Sequence, residues 1–166
     1  IAEKVGKSLR FSFNEAEILK KLVFWHLRPG YLADQKIPSK RAIYRFFRDT
    51  ASNGAAVIIL SLADWRATRG PLTNAQKRSR HEKIMLGLVE QYFARQKIKP
   101  LPQIINGYQL MKKLSIGPGP LVGRILKAVK EEQSLGHIST KKEAIELGER
   151  LKNQYSRSRN ANKVIK

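Results

Sequence analysis

The run Val57-Ile58-Ile59-Leu60-Ser61-Leu62-Ala63, continued by Asp64-Trp65-Arg66-Ala67-Thr68-Arg69-Gly70, decides the fold class. Three β-branched residues open it, and a short apolar run of this kind suits either a buried strand or a stretch of buried helix. A strand needs a partner, and no other segment of the chain alternates apolar and polar residues over strand length. The run over 55–69 is therefore read as a buried helix, and the chain with it as all-α.

Working outward, Asn14-Glu15-Ala16-Glu17 reads as an N-cap with an acidic first turn. Ile18, Leu19, Leu22, Val23 and Trp25 follow at helical spacing until Pro29-Gly30 stops the run. Pro38-Ser39-Lys40-Arg41 opens the next helix, with Ile43, Tyr44, Phe46 and Phe47 on an apolar face. Arg41, Arg45 and Arg48 fall on a common stripe by their spacing of four and three, and the stripe is read as lacking the carboxylate pairing usual on a solvated helix face. On the other side, Gly70-Pro71 breaks the chain and Thr73-Asn74 caps a long helix to about Gln96, whose apolar members include Ile84, Met85, Leu88 and Val89. Its first turns are basic, with Lys77, Arg78, Arg80 and Lys83. Ile98-Lys99-Pro100-Leu101-Pro102 reads as a stiff linker.

Beyond the linker, Ile104 to Ile116 ends an apolar helix at a Gly117-Pro118-Gly119-Pro120 corner. A second helix starts with Pro120 in its first turn, where a missing N–H costs nothing. Free amides and the positive end of a helix dipole form a place for a phosphate, with Lys112 and Lys113 before the corner and Gly123, Arg124 and Lys127 after it. The bland alternative is a corner whose glycines only permit close packing. Gly136 ends this helix, and Ser139 or Thr140 caps a last one from Lys141 to about Tyr155. Residues 156–166 read as a basic, disordered tail.

Lys+Arg number 33 against 13 Asp+Glu in 166 residues, a net charge of +20, while 42% of residues are hydrophobic. The apolar content supports a real core, and the charge points to a polyanion. The basic residues lie among ordered apolar segments and not in one arm, so the expected partner is a nucleic acid bound by a folded surface. No segment pairs a strong apolar face with a basic one, and no apolar run nears 20 residues, so a membrane partner is not expected. With no cysteine, disulfides and thiolate metal sites are excluded, which fits a reducing, cytoplasmic setting. The first residue is Ile, so the chain is read as an excised piece of a longer protein.

Catalytic chemistry is thin. His26, His81 and His137 show no H-x-x-x-H or H-E-x-x-H spacing, and each is read as structural. There is no D-x-D pair to hold magnesium and no glycine-rich phosphate loop. Asp64 is read as pairing with a nearby arginine. No catalytic residue and no resident cofactor are assigned to this chain.

The strings His26-Leu27-Arg28-Pro29-Gly30, Arg41 to Asp49, Leu60 to Asp64 and Ala67 to Gly70 resemble the distal half of the HD-type domain of bacterial tRNA nucleotidyltransferases and related poly(A) polymerases. Ile105 to Met111, Gly117 to Gly123 and the Glu143-Ala144 helix resemble the C-terminal module of the same proteins. The family's catalytic head, with its glycine-serine loop and two metal-binding aspartates, is not in this sequence, nor is the proximal half of the HD domain. The resemblance implies that Asp64 and His26 are remnants of an incomplete metal site. It also implies that magnesium and nucleoside triphosphates are needs of the parent enzyme.

The expectation is an all-α helical bundle of about seven helices with a C-terminal helix-turn-helix-like module. Residues 1–70 form the HD-type part, 71–155 the RNA-binding module and 156–166 the tail. The chain is expected to hold tRNA or another structured RNA for a catalytic head encoded elsewhere. Arg41, Arg45, Arg48, Lys77, Arg78, Arg80, Lys112, Lys113, Gly117, Gly119, Gly123, Arg124 and Lys127 are the candidate contacts. The alternatives are a helix-hairpin-helix DNA-binding module, a remnant HD-type phosphohydrolase and a purely structural piece.

Overall fold

A computed structural model describes residues 1–35, 37–68 and 75–164, with side chains through residue 157. Among the described residues there are nine α-helices, one 3-10 turn and no strand, which makes the fold all-α. The chain divides into two compact units, residues 1–99 and 100–166.

The first unit holds α1 (Ala2–Ser8), α2 (Phe13–Trp25), α3 (Arg28–Asp34), α4 (Lys40–Thr50), a 3-10 turn (Ala51–Asn53), α5 (Gly54–Ala67) and α6 (Ala75–Gln96). The apolar run that decides the fold is helical, yet it buries one stripe only: Gly54, Val57, Ile58 and Ser61 are inside, while Ile59 remains 60% exposed. Spacing of three and four puts those four residues on one helix face, which packs on α3 and α6. Leu32, Ala33, Phe46, Phe47, Val57, Ile58, Met85 and Leu88 form the core of the unit.

Several expected boundaries move. The N-cap of α2 is Ser12, which makes a reciprocal capping box with Glu15, and not Asn14. Pro29 and Gly30 lie inside α3, Pro29 in its first turn, so they open a helix where a stop was expected. α1 and α3 are the two helices beyond the seven anticipated. The Thr73-Asn74 cap and the Gly70-Pro71 break lie outside the described residues. α6 packs against α3 and α5, so it belongs to the first unit. By contacts, the two compact units part at the Lys99-Pro100 linker.

The second unit holds α7 (Gly107–Leu114), α8 (Pro120–Ser134) and α9 (Lys141–Val164) around Ile105, Leu110, Leu114, Val122, Ile125, Val129 and Ala144. Asn106 caps α7 by a capping box with Gln109. Thr140 caps α9, accepting from the Glu143 amide at 3.3 Å, while the Glu143 carboxylate accepts from the Thr140 amide at 2.9 Å. A Cβ at Gly148 would lie 2.9 Å from Leu114 Cδ1 and 3.3 Å from Ile125 Cγ2, so glycine lets α9 cross close to α7 and α8. α9 continues helical past Tyr155 to Val164, where a disordered tail was expected.

Candidate nucleic-acid interface

At the corner of the second unit, α7 ends on Ser115 in the left-handed region at φ 51, with its amide bonded to the Met111 carbonyl. Ile116 donates to the same carbonyl at 3.1 Å, and Lys152 of α9 reaches the Leu114 carbonyl at 2.7 Å. The end of α7 is thus satisfied without using the glycines.

Gly117, Gly119 and Gly123 are exposed, and a Cβ built on any of them would meet nothing within 4 Å. Close packing does not explain them, and the extended φ of 161 at Gly119 suits any residue. Gly123, inside a helix, lowers helix stability by about 0.5–1 kcal/mol relative to alanine and gains no packing in return. What the glycines leave is main chain open to approach at positions 117, 119 and 123, beside the exposed rings of Pro118 and Pro120. The free amides there are fewer than expected: Pro120 has none, and Val122 already donates to the Gly119 carbonyl at 3.1 Å.

Cations flank this open main chain. Lys112 and Lys113 lie exposed in the last turn of α7, and Arg124 and Lys127 lie exposed on α8. Lys130, three residues further, extends the same face, and its spacing was readable in the sequence though it was not chosen there. None of these five has an ion-pair partner among the described residues. Arg124 stands 5.5 Å over the Tyr155 ring, which gives it an aromatic support and leaves its charge unneutralised.

The α4 stripe is different. Arg48 donates to Asp49 at 2.7 Å and Arg28 reaches the other oxygen at 2.8 Å. Burial raises the Asp49 carboxyl, but hydrogen bonds from Arg48 and Arg28 outweigh it and hold the group below the usual carboxylate range. The expected unpaired stripe is thus corrected: the partner of Arg48 is the next residue in sequence, and Arg41 and Arg45 also have interactions of their own. In α6, Lys77 likewise has a partner, Arg80 reaches the Asp34 carbonyl at 3.5 Å, and Arg78 is exposed.

Asp64 is exposed on α5, and among the described residues its carboxylate has no arginine partner; Arg66 instead bonds Glu82 at 2.9 Å. His26 Nδ1 pairs with the Val23 carbonyl at 2.7 Å, and His137 Nδ1 with Glu132 at 2.7 Å. Among the described residues no three His, Asp or Glu side chains converge at a spacing that would hold a metal ion.

The family description "tRNA nucleotidyltransferase domain 2" matches residues 70–147, which include all five of these cations. The chain is 32% identical over 142 residues to a CC-adding tRNA nucleotidyltransferase of Thermus thermophilus, covering 78% of this chain and 30% of that protein. It is 34% identical over 92 residues to an A-adding tRNA nucleotidyltransferase of Deinococcus radiodurans, covering 53% of this chain and 20% of that protein.

Over this span the chain is similar to the tRNA nucleotidyltransferase family.

The chain spans less than a third of the length of either nucleotidyltransferase relative. One relative adds CC and the other adds A, so likeness over this region does not select the nucleotides a family member adds. No solved structure gives a significant match.

Proposed function

We propose that the second unit holds tRNA through its phosphates, recognising shape and charge, and presents the 3′ end to a nucleotidyltransferase head outside this chain. The observation that carries this reading is the set of five unpaired cations, Lys112, Lys113, Arg124, Lys127 and Lys130, around a corner whose main chain three glycines leave open. A phosphate backbone needs two things from a protein surface: fixed positive charge and close approach to main chain. The corner offers both. Loss of most first-turn amides shifts the weight from a helix-start anion site to the side chains of α7 and α8. Magnesium and nucleoside triphosphates would serve the head, and a cytoplasmic setting follows from tRNA as the substrate. The phosphohydrolase alternative has no support in the geometry, since Asp64 and His26 stand apart from any ligand cluster among the described residues.

Replacing Arg124 and Lys127 together by glutamine tests the reading. Both are exposed on a helix surface, so folding should survive. The expected result is weaker tRNA binding, with a log–log salt slope reduced by about two. An unchanged slope would contradict phosphate contact at this corner. Competition with duplex DNA at matched charge decides the helix-hairpin-helix alternative, which predicts a preference for the duplex.

A further inference from the structure

A cleft of about 300 Å³ opens in the first unit where α4, the 3-10 turn and α6 meet, lined by Phe47, Ala51, Ser52, Tyr92, Arg95 and Gln96. Its walls are fixed. The Tyr92 hydroxyl donates to the Ser52 carbonyl at 2.7 Å, and the Tyr92 ring lies so close to Gly54 that a Cβ there would come within 2.9 Å of it. Phe47, 9% exposed, stands with its ring centroid 6.1 Å from that of Tyr92.

Arg95 places its guanidinium 4.9 Å from the Phe47 ring centroid. Arg95 is exposed at the mouth of the cleft, and partial desolvation lowers its pKa, with Tyr44 opposing the shift. Among the described residues no carboxylate pairs with it. At the rim, Ala51 is held at φ 47 and ψ −125, a conformation that an alanine adopts only under strain. Such strain persists where surrounding structure enforces it, and it collects at ligand sites.

A planar cation backed by one aromatic ring, a second ring beside it and an unneutralised charge suit a flat, electron-rich ligand that carries an anion. We propose that this cleft takes one unstacked nucleotide, its base against the Arg95 guanidinium and the Tyr92 ring and its phosphate on the Arg95 charge. The proposal rests on the RNA-holding reading for its ligand class but on different residues, in the other unit, for its site. Ser52 and Gln96 supply polar groups at the base edge. Nothing in the cleft fixes which base, so the site would be tolerant of sequence.

The test uses the whole 166-residue chain and tetra-adenylate, a single-stranded RNA, titrated while NMR shifts of backbone amides and of the Arg95 side chain are followed. Shifts at Ser52, Tyr92, Arg95 and Gln96 are expected. Arg95→Lys keeps the charge and loses the plane, and it should weaken this binding about 5- to 100-fold, the range of one base stack. An adenosine monophosphate arm identifies the source: equal affinity marks a free-nucleotide site, weaker affinity a strand site, and either supports a nucleotide cleft. If tetra-adenylate and adenosine monophosphate both leave these resonances unmoved, or if Arg95→Lys binds as the wild type does, the proposal is overturned. Failure here with intact tRNA binding leaves the α7–α8 corner standing. A responsive cleft with no tRNA binding does the reverse.

Discussion

His81 shows what one side chain can do to this fold. It is 4% exposed, stacked on Trp65 at 4.1 Å with the rings 13° apart, and both His81 Nε2 and Trp65 Nε1 are buried without a hydrogen-bond partner among the described residues. Burial lowers its pKa, outweighing the opposite pull of Asp34 and Glu82. The unfolded chain therefore takes up a proton at a pH where the folded chain does not. Stability is expected to fall as pH drops through the ordinary histidine value of about 6.5, and to stop falling below the folded pKa. Melting temperatures between pH 8 and pH 5 check this, with His81→Phe as the control. Phenylalanine keeps the stack and removes the orphaned nitrogen, so that variant should lose this part of the pH dependence and be no less stable. Identical pH profiles for the two would contradict the assignment. The sequence reading of His81 as structural carries no hint of this, because burial and stacking on Trp65 need α5 and α6 side by side. Likewise, Arg48 looked unpaired because helix-face reasoning checks i±4, whereas its partner Asp49 is the next residue.

At the scale of elements, the legible features are the ones written locally. Pro120 at the start of α8, Gly136 after its end at φ 78, Ser39 before α4 and Thr140 before α9 all act where the sequence placed them. The Ser12-Glu15 capping box was equally available in the sequence, but Asn14 drew the assignment two residues along. α1 and α3 have seven residues each, too short for a periodic signal, and the Pro29-Gly30 pair in α3 reads as punctuation. The partner of α6 was not legible at all: its apolar stripe says that one face is buried, not against what. Thr140 offers a direct test of a cap. Thr140→Ala should cost about 1 kcal/mol of stability, seen as a lower denaturation midpoint and faster amide exchange in the first turn of α9. An unchanged midpoint and exchange rate would mean that the Glu143 carboxylate alone, bonded to the Ser139 and Thr140 amides, holds that helix start.

At the scale of the whole molecule, the charge of +20 was legible as a polyanion partner, but its division between structural and free cations was not. Neutralisation depends on contacts between elements: Arg28 of α3 finds Asp49 of α4, and Arg66 of α5 finds Glu82 of α6. In the second unit two of the five carboxylates have local duties, Glu143 at a cap and Glu132 on His137, and the five cations of the corner stay without an ion-pair partner among the described residues. The central claim is that this unit engages tRNA through phosphates, and salt reads that most directly. The measurement is the dissociation constant of the 166-residue chain for tRNA from 50 to 200 mM salt. If each of the five cations meets one phosphate, affinity should fall by roughly two to three orders of magnitude, with a log–log slope near −4 to −5. A slope near zero would contradict the account.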